Sequence, residues 1–170
     1  RSVRGTLNSA QVSEIYNEML ELPAKLEQIL ETVEPLRELT RKFAANNTVL
    51  FLGRHVGFPV ALEGALKLKE LAYIHAEGFA GGELKHGPIA LIEEGTPVIA
   101  IVPNTHEHGL DEKMLSNIQE VRARGAKVIA IASEGIEIPG AAHVIRIPAS
   151  PQMLQPVLAT VPLQIGRAHV

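Results

Sequence analysis

The chain has 170 residues, of which 46% are hydrophobic and 21% charged, enough for one domain with a sizeable core. Its 16 Lys and Arg against 19 Asp and Glu leave a net charge of −3, which gives no basic footprint for nucleic acid. There is no cysteine, so disulfides and thiolate metal ligands are excluded, and no apolar run nears the roughly 18 residues of a membrane span. Aromatic residues make up 4% and Trp is absent, which argues against stacking on bases or sugars as the main binding device. No secretory leader is read at the start, and a reducing, cytoplasmic setting is expected.

Residues 1–9 are polar, lack periodicity and read as a linker, with Asn8 or Ser9 as a helix cap. From Ala10 to Thr32, the residues Ile15, Met19, Leu22, Leu26 and Leu30 recur at three- and four-residue steps, an amphipathic helix that Pro23 is expected to kink or split. A second helix is expected from Pro35 to Ala45. The period then changes. "TVLFLG" is a continuous β-branched and aromatic run, as expected of a strand buried on both faces. A long helix from Pro59 follows. "PVIAIVP" reads as a strand, "LDEKMLSNIQEVRARG" as a helix closed by Gly125, and "KVIAIAS" and "AHVIRIP" as two more strands. A last helix runs from Pro151 through "VPLQ". This order predicts an α/β fold, a three-layer α-β-α arrangement around a mostly parallel, flavodoxin-like sheet. Ligands in such sheets bind beyond the carboxyl ends of the strands, which places residues 53–59 and 103–108 at the functional rim.

The chemistry concentrates in "LEGALKLKELAYIHAEGFAGGELKHGP". On a helical wheel at about 100° per residue, Glu63, Lys67, Glu70 and Glu77 share one stripe roughly 80° wide. Most of the remaining circumference is Ala and Leu, so the helix is expected to be buried and its charges to face a cleft or an interface. Glu63–Lys67 and Lys67–Glu70 are i,i+4 and i,i+3 pairs. Either they satisfy each other, or Lys67 orients Glu70 as an acid/base group. The glycines of "GFAGGELKHGP" break the helix into a loop that presents Glu83, Lys85 and His86, with His86 suited to carry a proton near pH 7. The bland reading is an exposed loop of ordinary polar residues. His75 and Glu77 are metal-ligand types, but no third ligand stands at a suitable spacing, so no metal is expected. "LGRHVGFP" offers glycines at a helix N-terminus where an anion could sit. It has no Ser or Thr and is neither a Walker loop nor G-x-G-x-x-G.

"LGRHVGFPVALEGALKLKELAYIHAEGFAGGELKHGPIALIEEGTPVIAIVPN" closely resembles the isomerase region of the glutamine–fructose-6-phosphate aminotransferase family, the glucosamine-6-phosphate synthases. "ALEGALKLKE" followed by "HAEG…GELKHGP" carries the likeness, which extends more weakly over nearly the whole chain. It implies the second of that family's two sugar isomerase (SIS) domains, over residues 10–164, from a parent truncated at both ends. The resemblance implies an enzyme that makes glucosamine 6-phosphate from fructose 6-phosphate and glutamine-derived ammonia, without metal or organic cofactor, as a homodimer. By position, Glu70 matches the base that moves a proton between C1 and C2, Lys67 its neighbour, and His86 the ring-opening histidine contributed across the dimer interface. A ketose–aldose shift needs just such a carboxylate and a second proton shuttle. The family's glutaminase domain, first SIS domain with its Ser/Thr-rich phosphate loop, and C-terminal tail with the imine-forming lysine are absent, so the isolated chain is expected to be inactive. "IGRAHV" departs from the family's apolar helix, and residues 165–170 read as a non-native, adapter-encoded extension. The competing reading is a non-catalytic sugar-phosphate-binding SIS module. No helix-turn-helix or basic face accompanies it, and it leaves "KLKE" and "ELKHGP" without a purpose.

Overall fold

A computed structural model describes residues 4–43, 46–104 and 109–167. Five parallel strands, β1 (Thr48–Gly53), β2 (His75–Ala80), β3 (Pro97–Val102), β4 (Lys127–Ser133) and β5 (His143–Ile147), pair in the order β2-β1-β3-β4-β5. The helices are α1 (Ser9–Leu30), α2 (Val33–Phe43), α3 (Gly57–Ala72), α4 (Leu110–Ala123) and α5 (Gln155–Arg167).

Alternation along the buried strands divides the core in two. Leu50 and Leu52 of β1 point to the same face as Val98, Ala100, Val128 and Ala130, and there meet Met114, Ile118 and Val121 of α4. Val49 and Phe51 point the other way, with Ile101, Ile131 and Ile147, against Val60, Ala61 and Ala65 of α3, Leu158 and Ala159 of α5, and Ile29 of α1. Helices therefore cover both faces, and the three-layer α-β-α architecture expected from the sequence is present. The β-branched runs of β1, β3 and β4 fill both layers at once, which is why they read as unbroken apolar stretches.

The element boundaries differ from the sequence reading at instructive places. Asn8 caps α1 with a full capping box, its Oδ1 accepting from Gln11 N and its own N–H donating to Gln11 Oε1, both at 2.9 Å. Helix α1 therefore starts at Ser9, and it runs on through Pro23 without splitting. Helix α2 starts at Val33, so Pro35 stands in the first turn, where its missing N–H costs nothing; Ala44 and Ala45 lie outside the described residues. Helix α5 continues through Ile165 to Arg167.

The largest correction is β2. The sequence reading carried His75 and Glu77 on the long helix and left "GFAGG" as loop. Instead α3 stops at Ala72, because Tyr73 takes a left-handed conformation (φ 55°) as its C-cap. His75–Ala80 then forms an edge strand in parallel register with β1, His75 opposite Thr48 and Ala80 opposite Gly53. "HAEGFA" lacks β-branched residues, but its small residues let a helix lie close: a side chain at Gly78 would come within 3.1 Å of the Ala61 carbonyl and Leu62 Cα.

The turn from β1 into α3 is equally tight. A Cβ on Gly53 would collide with the Gly57 carbonyl and lie 2.7 Å from Phe58 N, all backbone that cannot swing aside. Gly53→Ala is therefore expected to destabilise the chain by about 1–3 kcal/mol, as overpacking does. Gly82→Ala meets only Arg54 Nη1 at 3.8 Å and serves as the neutral control. Urea unfolding checks the pair; equal midpoints for the two variants would refute the steric account.

Candidate functional site

Helix α3 presents two faces. Gly57, Val60, Ala61, Gly64 and Ala65 are buried, and they are small enough to bring the helix down onto β1 and β2. At Gly64 an added methyl would lie 2.7 Å from Phe51 Cε1. The outer face carries Glu63, Lys67 and Glu70, with Leu62 and Leu66 beside them, 44% and 43% exposed. The expectation that the rest of the helix is buried is thus corrected: three leucines, with Leu71 at 50%, are exposed along α3 beside the charges. The stripe also loses Glu77, which stands exposed on β2.

Within that face, Lys67 Nζ lies 2.9 Å from Glu70 Oε2 and 3.8 Å from Glu63 Oε1. Gln164 Nε2, on α5, donates to Glu63 Oε1 at 3.2 Å. A chain of polar contacts therefore runs from α5 through Glu63 and Lys67 to Glu70. Glu70 is half exposed, and an exposed i,i+3 pair contributes only about 0.2–0.5 kcal/mol. The pair is too weak to be a stability device of note; what it does is hold a reachable carboxylate beside an ammonium.

The location of this pair is unexpected. Helix α3 leaves the carboxyl end of β1 and returns to the amino end of β2, so Glu70, 13 residues after Gly57, stands about 20 Å along the axis from the carboxyl rim. The rim expected to be functional and the candidate acid/base group are at opposite ends of the domain.

His86 lies in a short 3₁₀ turn after β2, 71% exposed, with its Nδ1 3.0 Å from Glu83 Oε2. The structure therefore pairs His86 with Glu83, whereas Lys67 and Glu70 pair with each other. Lys85, between them, reaches Glu120 of α4 at 3.0 Å.

The start of α3 does not cradle an anion. Gly57 N donates to Arg54 O at 2.8 Å and Phe58 N to His55 O at 3.2 Å, and Pro59 has no N–H. The amides that a helix N-terminus would offer are spent within the turn or missing. Arg54 turns away toward α4, its Nε donating to Asn117 Oδ1 at 2.8 Å. Further along the carboxyl rim, buried Ser133 accepts from Asn104 N at 2.9 Å and donates to buried Gln155 Oε1 at 2.8 Å, and Gln155 Nε2 closes on Ser150 O at 2.7 Å. This chain ties the ends of β3 and β4 to the entry of α5. Residues 105–108 of the expected rim lie outside the described residues. Among the described residues, no group of three or more His, Asp or Glu is arranged to hold a metal ion.

Sequence spacing found the Lys67–Glu70 pair but not Gln164, Arg54–Asn117 or Lys85–Glu120. Each of these joins residues far apart in the chain, and no local pattern announces them.

Comparison with known proteins accords with this architecture. The chain is 58% identical over 166 residues to the isomerizing glutamine–fructose-6-phosphate aminotransferase of Streptomyces coelicolor, covering 96% of this chain and 27% of that protein. It is 55% identical over 170 residues to the Mycobacterium bovis enzyme of the same name, covering 98% and 27%. The chain thus spans about a quarter of the length of these curated relatives. Among solved structures, the C-terminal domain of glucosamine-fructose-6-phosphate aminotransferase from Francisella tularensis superposes with a TM-score of 0.91 at 36% identity, covering 99% of this chain and 47% of that one. The SIS domain family model matches residues 42–169, most of the chain, which therefore belongs to the SIS domain family.

Proposed function

We propose that the chain is the second SIS domain of a glutamine–fructose-6-phosphate aminotransferase and carries the sugar-isomerising base of that enzyme. The observation that carries the reading is the Lys67–Glu70 pair, 2.9 Å apart on the outer face of α3, inside the "KLKE" of a segment 58% identical to such an enzyme.

Ammonia condenses with the C2 carbonyl of the open-chain sugar and water leaves; Glu70 then takes a proton from C1 of the imine and a proton is returned at C2, so that the ketose skeleton becomes an aldose carrying nitrogen at C2. Lys67 fixes the carboxylate and offsets its charge while the proton is in transit. His86 moves the proton at the ring oxygen during ring opening. Its exposure and its pairing with Glu83 rather than Glu70 fit a role toward a neighbouring copy in a homodimer. The half-exposed Leu62 and Leu66 beside Glu70 supply apolar surface for a partner domain to cover. Because Glu70 lies at the end of the domain away from its own rim, the sugar phosphate must be delivered by another surface, that of the first SIS domain. A cytoplasmic setting fits substrates, a phosphorylated sugar and glutamine, that are charged and confined to the compartment that makes them. Among the described residues, no helix is long and apolar enough to cross a membrane.

Two outcomes test this reading. The purified 170-residue chain, supplied with fructose 6-phosphate and ammonia, is expected to form no glucosamine 6-phosphate, since positioning of the sugar supplies much of the rate and the delivering surface is missing; measurable product overturns the division of labour. When this segment replaces the matching 166 residues of the Streptomyces coelicolor enzyme, Glu70→Gln is expected to lower sugar conversion by at least about a hundredfold while glutamine hydrolysis persists. Parallel loss of both activities would show that Glu70 is structural.

A further inference from the structure

The Lys67–Glu70 pair forms against the preference of its own helix. A glutamate four residues before a lysine is the favoured helical ion pair, and the reverse order is weaker. Glu63–Lys67 has the favoured order and spacing, whereas in Lys67–Glu70 the lysine comes first. Glu70 also stands in the last turn of α3, which ends at Ala72, where the helix dipole disfavours a negative charge. Yet Lys67 Nζ lies 2.9 Å from Glu70 Oε2 and 3.8 Å from Glu63 Oε1, the second distance being too long for a hydrogen bond.

We propose that Gln164 is the positioning residue that reverses this preference: it holds the Glu63 carboxylate and so leaves the Lys67 ammonium to Glu70. The inference rests on the proposed role of Glu70 as the base and adds a residue that acts on it through Glu63 and Lys67. Gln164 Nε2 donates to Glu63 Oε1 at 3.2 Å, and that is the oxygen nearest Lys67. An amide suits the task. It offers a donor without a charge, so it occupies the Glu63 oxygen without placing a second cation beside the pair. One ammonium stands between two carboxylates, and the carboxylate that already accepts a hydrogen bond competes for it less.

Packing between α3 and α5 builds the contact. Gly64 is the notch: a Cβ there would lie 2.9 Å from Leu163 Cδ1. Glu63 and Gln164 are the chain neighbours of those two residues, so the seating of Leu163 on Gly64 sets the amide beside the carboxylate. Leu163 belongs to the same buried cluster as Ala61 and Ala65 of α3 and Leu158 and Ala159 of α5. The donor of Gln164 is therefore carried by a packed helix, as a positioning group requires. Lys67 is the least exposed of the three charged side chains, 24% against 36% for Glu63 and 48% for Glu70. Water solvates it least, so the choice between its two carboxylates matters most for Lys67.

The test is steady-state kinetics of the Streptomyces coelicolor enzyme carrying this segment. Gln164→Met keeps the length and apolar stem of the side chain and removes the donor. It is expected to lower kcat for sugar conversion about fivefold to tenfold, with KM for fructose 6-phosphate within about twofold and glutamine hydrolysis intact. Gln164→Glu, of the same size but able only to accept when ionised, should do no better. In a Glu63→Gln background no carboxylate is left to compete for Lys67, and adding Gln164→Met should cost less than about twofold. An unchanged kcat in Gln164→Met, an equal loss from it in both backgrounds, or a parallel loss of glutamine hydrolysis overturns the proposal and leaves Gln164 a packing residue. Undiminished sugar conversion by Glu70→Gln in the same enzyme would instead refute the role of the pair itself, on which the inference rests.

Discussion

The close approach of α3 to the sheet is the constraint on which the rest of the domain depends. Gly53 lets the chain reverse within a few residues of β1, Gly64 admits Phe51 and Leu163, and Gly78 lets β2 slide under Ala61 and Leu62. With larger residues at these places the helix would stand off, and β2, which has little apolar bulk of its own, would lose the surface that holds it at the sheet edge. The same approach fixes the helix's rotation. Once the small residues point inward, Glu63, Lys67 and Glu70 must point outward, so the geometry of the core selects which side chains are available for chemistry.

How much of this was legible follows from how each feature is encoded. Strands β1, β3 and β4 are written in continuous β-branched runs, and α4 announces its end with Gly125 (φ 92°). Strand β2 is not written that way. Its neighbour α3 ends at a tyrosine, not a glycine, in the left-handed region, so in the sequence helix periodicity runs on through Glu77 with no stop signal. The strand is specified by what the helix and β1 leave room for, which is tertiary information. Pro23 misled in the opposite sense: packing of Leu22, Leu26 and Ile29 against the core holds α1 continuous across a residue that disfavours it locally.

The candidate site divides along the same line. Lys67 and Glu70 are three apart on one helix, and helical spacing alone brings them together. Arg54 and Asn117 stand 63 positions apart, and Glu63 and Gln164 stand 101 apart. Such contacts exist only after the sheet has assembled. The rim rule for parallel sheets pointed to residues 53–59 and 103–108, whereas the Lys67–Glu70 pair lies at the other end of α3.

That separation has a mechanistic consequence. The candidate acid/base pair on the outer face of α3 and the carboxyl rim of the sheet stand about 20 Å apart along the helix, so one small ligand cannot touch both. A small ligand at the Lys67–Glu70 pair is therefore out of reach of Arg54 and Lys113. Substitutions at the two places share no partner, and their effects should add. Helix α3 links the two places, beginning at the turn beside Arg54 and passing Glu70 to end at Ala72. Its tight seating on β1 leaves that helix little freedom to move without disturbing Gly53, Gly64 and Gly78 together.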